Sequence, residues 1–413
     1  MIGDFQKFVL SRDLALESLD QETGKRNIVN TASGQRLEIS DETMKLLWVF
    51  KEATTIAVAA KQLGMSGRGS RRKLRRLVEP LIKSNFLIKE IDEFKPIDLD
   101  KVLAEEFFIW PKQTFASCPL ARPEALASGD IAIIGVGYDL GVTGNPGTRF
   151  GPDKVREVSA KFLTYERDIF TLKGRGWYNA DLGRTILKDR AIHDLGNIPS
   201  IISEEPRRFY DRCFEAGKKV FETRALPVFI GGDHSITAPL FKAACQTHQG
   251  PITLVHLDAH TDWADLSEGS CHHHGNFLRQ VVEEHPRVKV FQYGIRGFCG
   301  SVPGGNIWTV TQSNVSVGAP GQTFQIPEHS LCYISLDIDV LDPAFAPGVG
   351  TPVPLGMTPR ELLKLLIAIA KNNTIVGIDV VELNPLLDQN DVTASLAVHL
   401  LMPFLDSIYR KYD

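Results

Sequence analysis

The chain has 413 residues, 43% of them hydrophobic and 23% charged, with a formal net charge of −4. That length exceeds the size at which a single core usually stops growing, so it predicts one large α/β domain and a smaller appendage; the ordinary composition excludes disordered, collagen-like and disulfide-scaffold classes. The slight acidity offers no general attraction for nucleic acid or anionic membrane.

Taken in chain order, MIGDFQKFVLSRD carries an early acid and no basic segment leading into an apolar run, unlike a signal peptide, and no later stretch reads as a membrane span. The six cysteines, Cys118, Cys213, Cys245, Cys271, Cys299 and Cys332, form no C-x-x-C pair. That spacing suits reduced thiols and a cytoplasmic location better than a zinc ribbon. FVLSRDLALESLD and RNIVN flank a turn-like Thr23-Gly24, and a further short piece with Leu37 and Ile39 follows Ser33-Gly34. Ser40-Asp41 can cap ETMKLLWVFKEA, and TTIAVAAKQLG and RRKLRRLVEPLIKSNFLI predict two more helices closing on a strand. Residues 1–90 are therefore expected to form a small winged-helix-like domain. Residues 91–128, where proline and polar residues interrupt every apolar run, read as linker with local packing.

From 129 to 413, apolar runs alternate with loops and helical stretches: IAIIGVGYDL, LPVFIGGDHS, PITLVHLDAH, VKVFQYGIR, LCYISLDIDV and TIVGIDVVEL. Short continuous apolar runs predict strands buried on both faces, hence a mainly parallel sheet covered by helices.

Several of these runs end in acids or histidines. One supplies His234, one Asp258, His260 and Asp262, and one Asp337 and Asp339. Positions two apart lie on one side of an extended chain, so each set can converge, and ligand crevices of parallel sheets lie beyond the carboxyl ends of strands. A lone D-x-D is more often a turn or a surface ion pair. Acids and histidines embedded in apolar strands are different, since burying them unpaired costs several kcal/mol each. Two histidines with four carboxylates suit a pair of divalent ions of borderline hardness.

The strings GGDHSIT, LDAHTDW, SLDIDVLDPAFAPGVGTP and GIDVVELNP, with GVGYDLGVTGNPGTRFGPDKVRE upstream, resemble the ureohydrolases, the arginase and agmatinase group, in order and spacing over roughly residues 125–410. The resemblance implies a three-layer α/β/α arginase/deacetylase-like fold and two Mn²⁺ ions. It implies that His234, Asp258, Asp262 and Asp337 hold one ion, and Asp258, His260, Asp337 and Asp339 the other, with Asp258 and Asp337 bridging. It further implies that Glu382 pairs with the substrate guanidinium and that His274 shuttles protons to the leaving amine. Asp342 reads as a turn former before Pro343, and His272 and His273 as residues of a solvated loop.

The chain departs from that pattern in two places. FCGSVPGGNIWTVTQSNVSVGAPGQTFQIPEHS replaces the family's helix, strand and helix and keeps no helical period, and ADLSEGSCH lacks the Asn and Ser pattern by which arginases read a free amino acid. The first ninety residues resemble, more weakly, the winged-helix element that binds leader peptides in enzymes maturing ribosomal peptides. Together these imply hydrolysis of arginine residues in a precursor peptide to ornithine; a homo-oligomer is expected, with no subunit count carried over from the family because the altered loop can remodel oligomer contacts. The alternative is an agmatinase- or guanidinobutyrase-type hydrolase of a free guanidino compound, and a non-enzyme alternative is a binding module on the same scaffold. The basic run Arg68, Arg71, Arg72, Lys73, Arg75 and Arg76 would equally suit an acidic leader peptide or be the solvated helix face of an oligomerisation domain; nucleic acid is the less favoured partner.

Overall fold

The computed structural model describes residues 7–10, 14–16, 27–30, 36–38, 40–50, 54–65, 69–84, 86–89, 108–163, 165, 174–201, 204–265, 273–317 and 326–410. The chain divides into two compact units, Met1–Leu99 and Asp100–Asp413.

In the first unit, β1 (Lys7–Leu10) pairs antiparallel with β5 (Thr54–Thr55) and β6 (Leu87–Lys89), while β2 (Leu14–Leu16), β3 (Asn27–Asn30) and β4 (Arg36–Glu38) form a separate antiparallel sheet. FVLSRDLALESLD is thus two strands in two sheets. The expected hairpin pairs Leu14 with Asn30, and its Thr23-Gly24 turn lies outside the described residues. Ser40 accepts the Thr43 N–H and caps α1 (Asp41–Val49), and Thr55 does the same for α2 (Ile56–Gln62). In α3 (Ser70–Lys83), Leu74, Val78 and Leu81 recur at helical spacing and are buried, which leaves Arg71, Arg72, Lys73 and Arg76 exposed on the other face.

The second unit is built on an eight-stranded sheet. Its strands are β7 (Ile131–Val136), β10 (Ile192–Asn197), β11 (Leu226–Gly231), β12 (Ile252–Leu257), β13 (Lys289–Ile295), β14 (Ile307–Thr311), β15 (Leu331–Asp337) and β16 (Thr374–Val381), in the order β10-β7-β11-β16-β15-β12-β13-β14. Every pairing in it is parallel. β8 (Trp177–Asn179) and β9 (Arg184–Ile186) form a separate antiparallel hairpin.

Helices cover both faces. On one face, α4 (Gly151–Phe162), α9 (Pro359–Asn372) and α10 (Val392–Tyr409) set Val155, Leu362, Leu366 and Ala394 against Ile133, Val228, Val255 and Ile334. On the other, α5 (Pro206–Glu222), α6 (Thr237–Thr247) and α7 (Phe277–Glu284) set Phe209, Leu240 and Phe277 against Ile134, Phe229 and Leu254. Alternate residues of one strand enter opposite clusters, which is why the apolar runs are continuous. Among the described residues one helix, α10, is long and apolar enough to cross a membrane; it is mostly buried in this core.

Three expectations change. Of the stretch read as linker, residues 108–128 are core-packed: Phe115 is fully buried, its N–H bonds Asp194, and Ile109 bridges Asn197. The segment after Arg296 holds strand β14, whose Trp308 stacks on Phe291, and a short helix, α8 (Gln312–Val317), where no helix was expected. β-Branched and aromatic IWTVT suits an edge strand, and its polar half hides the apolar run. The third change lies in the site, because β12 ends at Leu257 and β15 at Asp337, so the acids beyond them stand on turns and not on extended chain.

Candidate metal centre

Four adjacent central strands, β11, β16, β15 and β12, end on the same rim of the sheet, and each delivers part of the site. After β11, Gly232 lets the chain pass so close to Tyr138 that a Cβ there would collide with its carbonyl oxygen. Asp233 then accepts the Gly141 and Ser235 N–H groups and turns the chain so that His234 faces inward. After β12, Asp258 accepts the His260 N–H, and Asp262 takes φ +45°, a left-handed conformation that costs about 1–3 kcal/mol for a non-glycine residue and folds the loop back over the strand end. Gly294, φ +100°, sits beneath: a Cβ there would lie 2.8 Å from the Asp258 carbonyl oxygen. After β15, Asp337 accepts the Asp339 N–H and caps a short 3₁₀ turn, Ile338–Val340.

These turns bring all six residues expected as ligands together. His234 Nδ1 lies 3.1 Å from Asp258 Oδ2, 3.1 Å from Asp262 Oδ2 and 3.2 Å from Asp337 Oδ2. His260 Nδ1 lies 3.4 Å from Asp258 Oδ1 and 3.0 Å from Asp339 Oδ2. Asp258 therefore gives one oxygen to each cluster, whereas Asp337 meets the first cluster through Oδ2 and spends Oδ1 on the Asp339 N–H. His234 Nδ1 is buried and makes no hydrogen bond although three carboxylate oxygens surround it. A cation bonded to each donor at about 2.0–2.2 Å sets neighbouring donors about 3.0–3.5 Å apart, so the spacing fits a bound ion in each cluster, and the orphaned nitrogen fits one in the first.

The electrostatics agree. Burial opposes charge on His234, yet Asp258, Asp262 and Asp337 outweigh it and hold its pKa well above the usual value; His260, against Asp258 and Asp339, is pushed to about 12 despite its burial. Burial, then the charges of Asp339 and Asp258, also drive the Asp337 pKa up, well above the carboxylate range, and so toward the neutral acid. A site that favours positive charge this strongly is one that a divalent cation would relieve.

Beside the clusters, Glu382 follows β16 with φ +64°. Its Oε1 accepts the His234 N–H at 2.9 Å and faces His274 Nδ1 at 3.1 Å; its Oε2 is buried with no hydrogen-bond partner. His274 Nε2 accepts the Thr143 N–H at 3.1 Å and meets Thr143 Oγ1 at 2.8 Å. Burial lowers the His274 pKa, but Glu382 more than compensates and lifts it to about 9. Asp342 accepts the Ala344 and Gly356 N–H groups, as a turn former should. His273 is half-buried, its Nδ1 buried without a hydrogen-bond partner, so it is not solvated as expected; Cys271, His272 and most of ADLSEGSCH lie outside the described residues.

The sequence reading missed the residues that aim the donors. Ser335 Oγ donates to Asp379 Oδ1 at 2.8 Å and lies 2.8 Å from His234 Nε2, which fixes the ring so that Nδ1 is the free donor. His256 Nε2 lies 2.8 Å from Asp258 Oδ2. Arg296 donates to the carbonyls of Asp339, Val340, Leu341 and Val353, tying the Asp339 turn to the loop opposite. A signal was present for each: every one is a polar residue within two positions of a strand end or inside an otherwise apolar run.

Residues 129–405 match the arginase family. The chain is 34% identical over 295 residues to the mitochondrial agmatinase of Gallus gallus, covering 67% of this chain and 80% of that one. It is 33% identical over 284 residues to the proclavaminate amidinohydrolase of Streptomyces clavuligerus, covering 66% and 85%. Among solved structures, a hypothetical agmatinase from Burkholderia thailandensis superposes with TM-score 0.61 at 28% identity, covering 72% and 90%. The amidinohydrolase from Streptomyces clavuligerus superposes with TM-score 0.60 at 30% identity, covering 74% and 99%.

Proposed function

The chain belongs to the arginase family, and on that premise we propose that this enzyme hydrolyses the guanidinium group of a small free guanidino compound to urea and an amine. The observation that carries the reading is the buried, unpartnered Oε2 of Glu382 beside two donor clusters with metal-ligand spacing. The family depends on two metal ions, typically manganese. In this chain His234, Asp258, Asp262 and Asp337 would hold one, and Asp258, His260 and Asp339 the other; the bridging role expected of Asp337 is not carried by its Oδ1, which accepts the Asp339 N–H.

When bound, the two cations supply Lewis acidity that makes a water nucleophilic near neutral pH. The protein does the rest. Glu382 Oε2 accepts N–H bonds from the guanidinium and compensates its charge in a buried place. The water oxygen joins the guanidinium carbon, giving a tetrahedral intermediate; the bond to the substituted nitrogen then breaks. That nitrogen must gain a proton to leave as an amine. His274 is placed to hand it over, because it is held between Glu382, which favours its protonated form, and the Thr143 N–H, which requires a lone pair at Nε2.

The relatives' names, agmatinase and amidinohydrolase, support a small substrate over the peptide expected from the sequence. The test is urea release by Mn²⁺-loaded protein from agmatine, 4-guanidinobutanoate, free arginine and arginine-containing peptides. Turnover of the first two above the others supports the reading; no urea from any guanidino compound overturns it.

One observation favours a second reading, arginine side chains in a peptide: the unit Met1–Leu99 lies outside the family match. Preference for peptides in the same panel would install it.

A further inference from the structure

Beneath the donor clusters a row of polar side chains crosses the sheet in register. Asp379 of β16 pairs with Ser335 of β15, Ser335 with His256 of β12, His256 with Gln292 of β13, and Gln292 with Thr309 of β14. Asp379, His256, Gln292 and Ser335 are fully buried. Polar groups in such a place must be satisfied by one another, so their hydrogen bonds have a fixed direction.

In the half of the row away from Ser335 the direction can be read. Gln292 Nε2 lies 3.1 Å from the Thr261 carbonyl, which only accepts, so the amide nitrogen must stand there. The same nitrogen lies 3.0 Å from His256 Nδ1, and Thr309 Oγ1 donates to Gln292 Oε1 at 2.8 Å. His256 Nδ1 is therefore an acceptor, and the ring proton sits on Nε2, 2.8 Å from Asp258 Oδ2. His256 lies close enough to His234, Asp258 and Asp262 to be counted with them as a ligand. The chain from Thr309 excludes that use, because its Nε2 carries a proton.

We propose that His256 is a positioning residue: held by Gln292 and Thr309, it donates its Nε2–H to Asp258 and fixes the carboxylate that both clusters share. The inference rests on the two-metal reading above and concerns residues to which that reading gives no role. Thr309 belongs to β14, in the segment where this chain departs from the family's pattern, so edge-strand structure is coupled to the metal centre.

The experiment is calorimetric Mn²⁺ titration of the full-length apo-protein, with the melting temperature of each apo variant beside it. His256→Leu and Gln292→Leu should each weaken Mn²⁺ binding by about 10–100-fold, the usual effect of losing such a partner, while two ions still bind at saturation. His256→Gln, which can place an N–H near the same point, should recover most of the loss. The double variant His256→Leu/Gln292→Leu should bind no worse than His256→Leu, because Gln292 acts through His256. Thr309→Val, near-isosteric and at the half-buried end, should lose several-fold affinity with its apo melting temperature unchanged; it decides the matter if the leucine variants fail to fold. Wild-type affinity in Gln292→Leu or Thr309→Val, additive losses in the double variant, or a single bound ion in His256→Leu would overturn the proposal. A wild-type protein that takes up no Mn²⁺ would overturn the two-metal reading itself.

Discussion

Glu382 and His274 share one contact, Oε1 to Nδ1 at 3.1 Å, and it divides the carboxylate in two: Oε1 is consumed by His274 and the His234 N–H, while Oε2 is left buried and free. One residue thus couples the proposed proton carrier, the backbone of a candidate ligand and an open acceptor. Glu382→Gln keeps the shape and removes the charge. Since hydrogen bonds to charged groups contribute about 1.5–3 kcal/mol, kcat/KM should fall about 10²-fold while metal analysis still finds two ions. Unchanged kcat/KM would remove Glu382 from guanidinium recognition.

The role proposed for His274 makes a pH prediction. The His274 pKa is raised to about 9, so the protonated ring, the form able to give its proton to the leaving amine, is present below that value and lost above it. The wild-type rate should show an alkaline limb near pH 9. His274→Ala should abolish that limb and slow turnover by about 10²–10⁴ with metal content intact. A limb that survives the substitution belongs to another group.

Asp258 is the carboxylate with one oxygen toward His234 and the other toward His260. Asp258→Asn should reduce occupancy of both ions and remove urea release. Asp337→Asn should do so chiefly through the His234 cluster, its Oδ2 being 3.2 Å from that ring. Atomic absorption on dialysed protein distinguishes the two, and full occupancy with full activity in either variant would refute the donor assignment.

Arg296 anchors the Asp339 turn through backbone carbonyls, with no carboxylate bonded to its guanidinium among the described residues. Arg296→Met leaves those acceptors unpaired, at about 1–3 kcal/mol for each buried one. The melting temperature should fall by several degrees, and the His260 and Asp339 cluster should lose its ion more readily than the His234 cluster. An unaltered melting curve would show that water replaces the clamp.

Several parts of the protein were legible without coordinates. The six apolar runs became β7, β11, β12, β13, β15 and β16, because strands buried on both faces must be apolar at every position. The residues GGDHS, DAHTD and DIDVLDP marked a candidate cation site, because that many acids and histidines have no inexpensive place among apolar strands. Edge strands β10 and β14 escaped notice because polar positions break their runs: Asp194 of β10 is buried against Arg156, and β14 is only partly covered.

What the tertiary structure alone decided is how the donors are aimed. The sequence places Asp258, His260 and Asp262 two apart, yet β12 ends before them, and it is the left-handed Asp262 and the close-fitting Gly294 that turn them to one point. Likewise His256, Gln292 and Thr309 are 36 and 17 residues apart in the chain and become neighbours only through strand register. Local sequence fixes which groups are costly to bury; the satisfaction of those groups depends on partners that only parallel pairing across the sheet supplies.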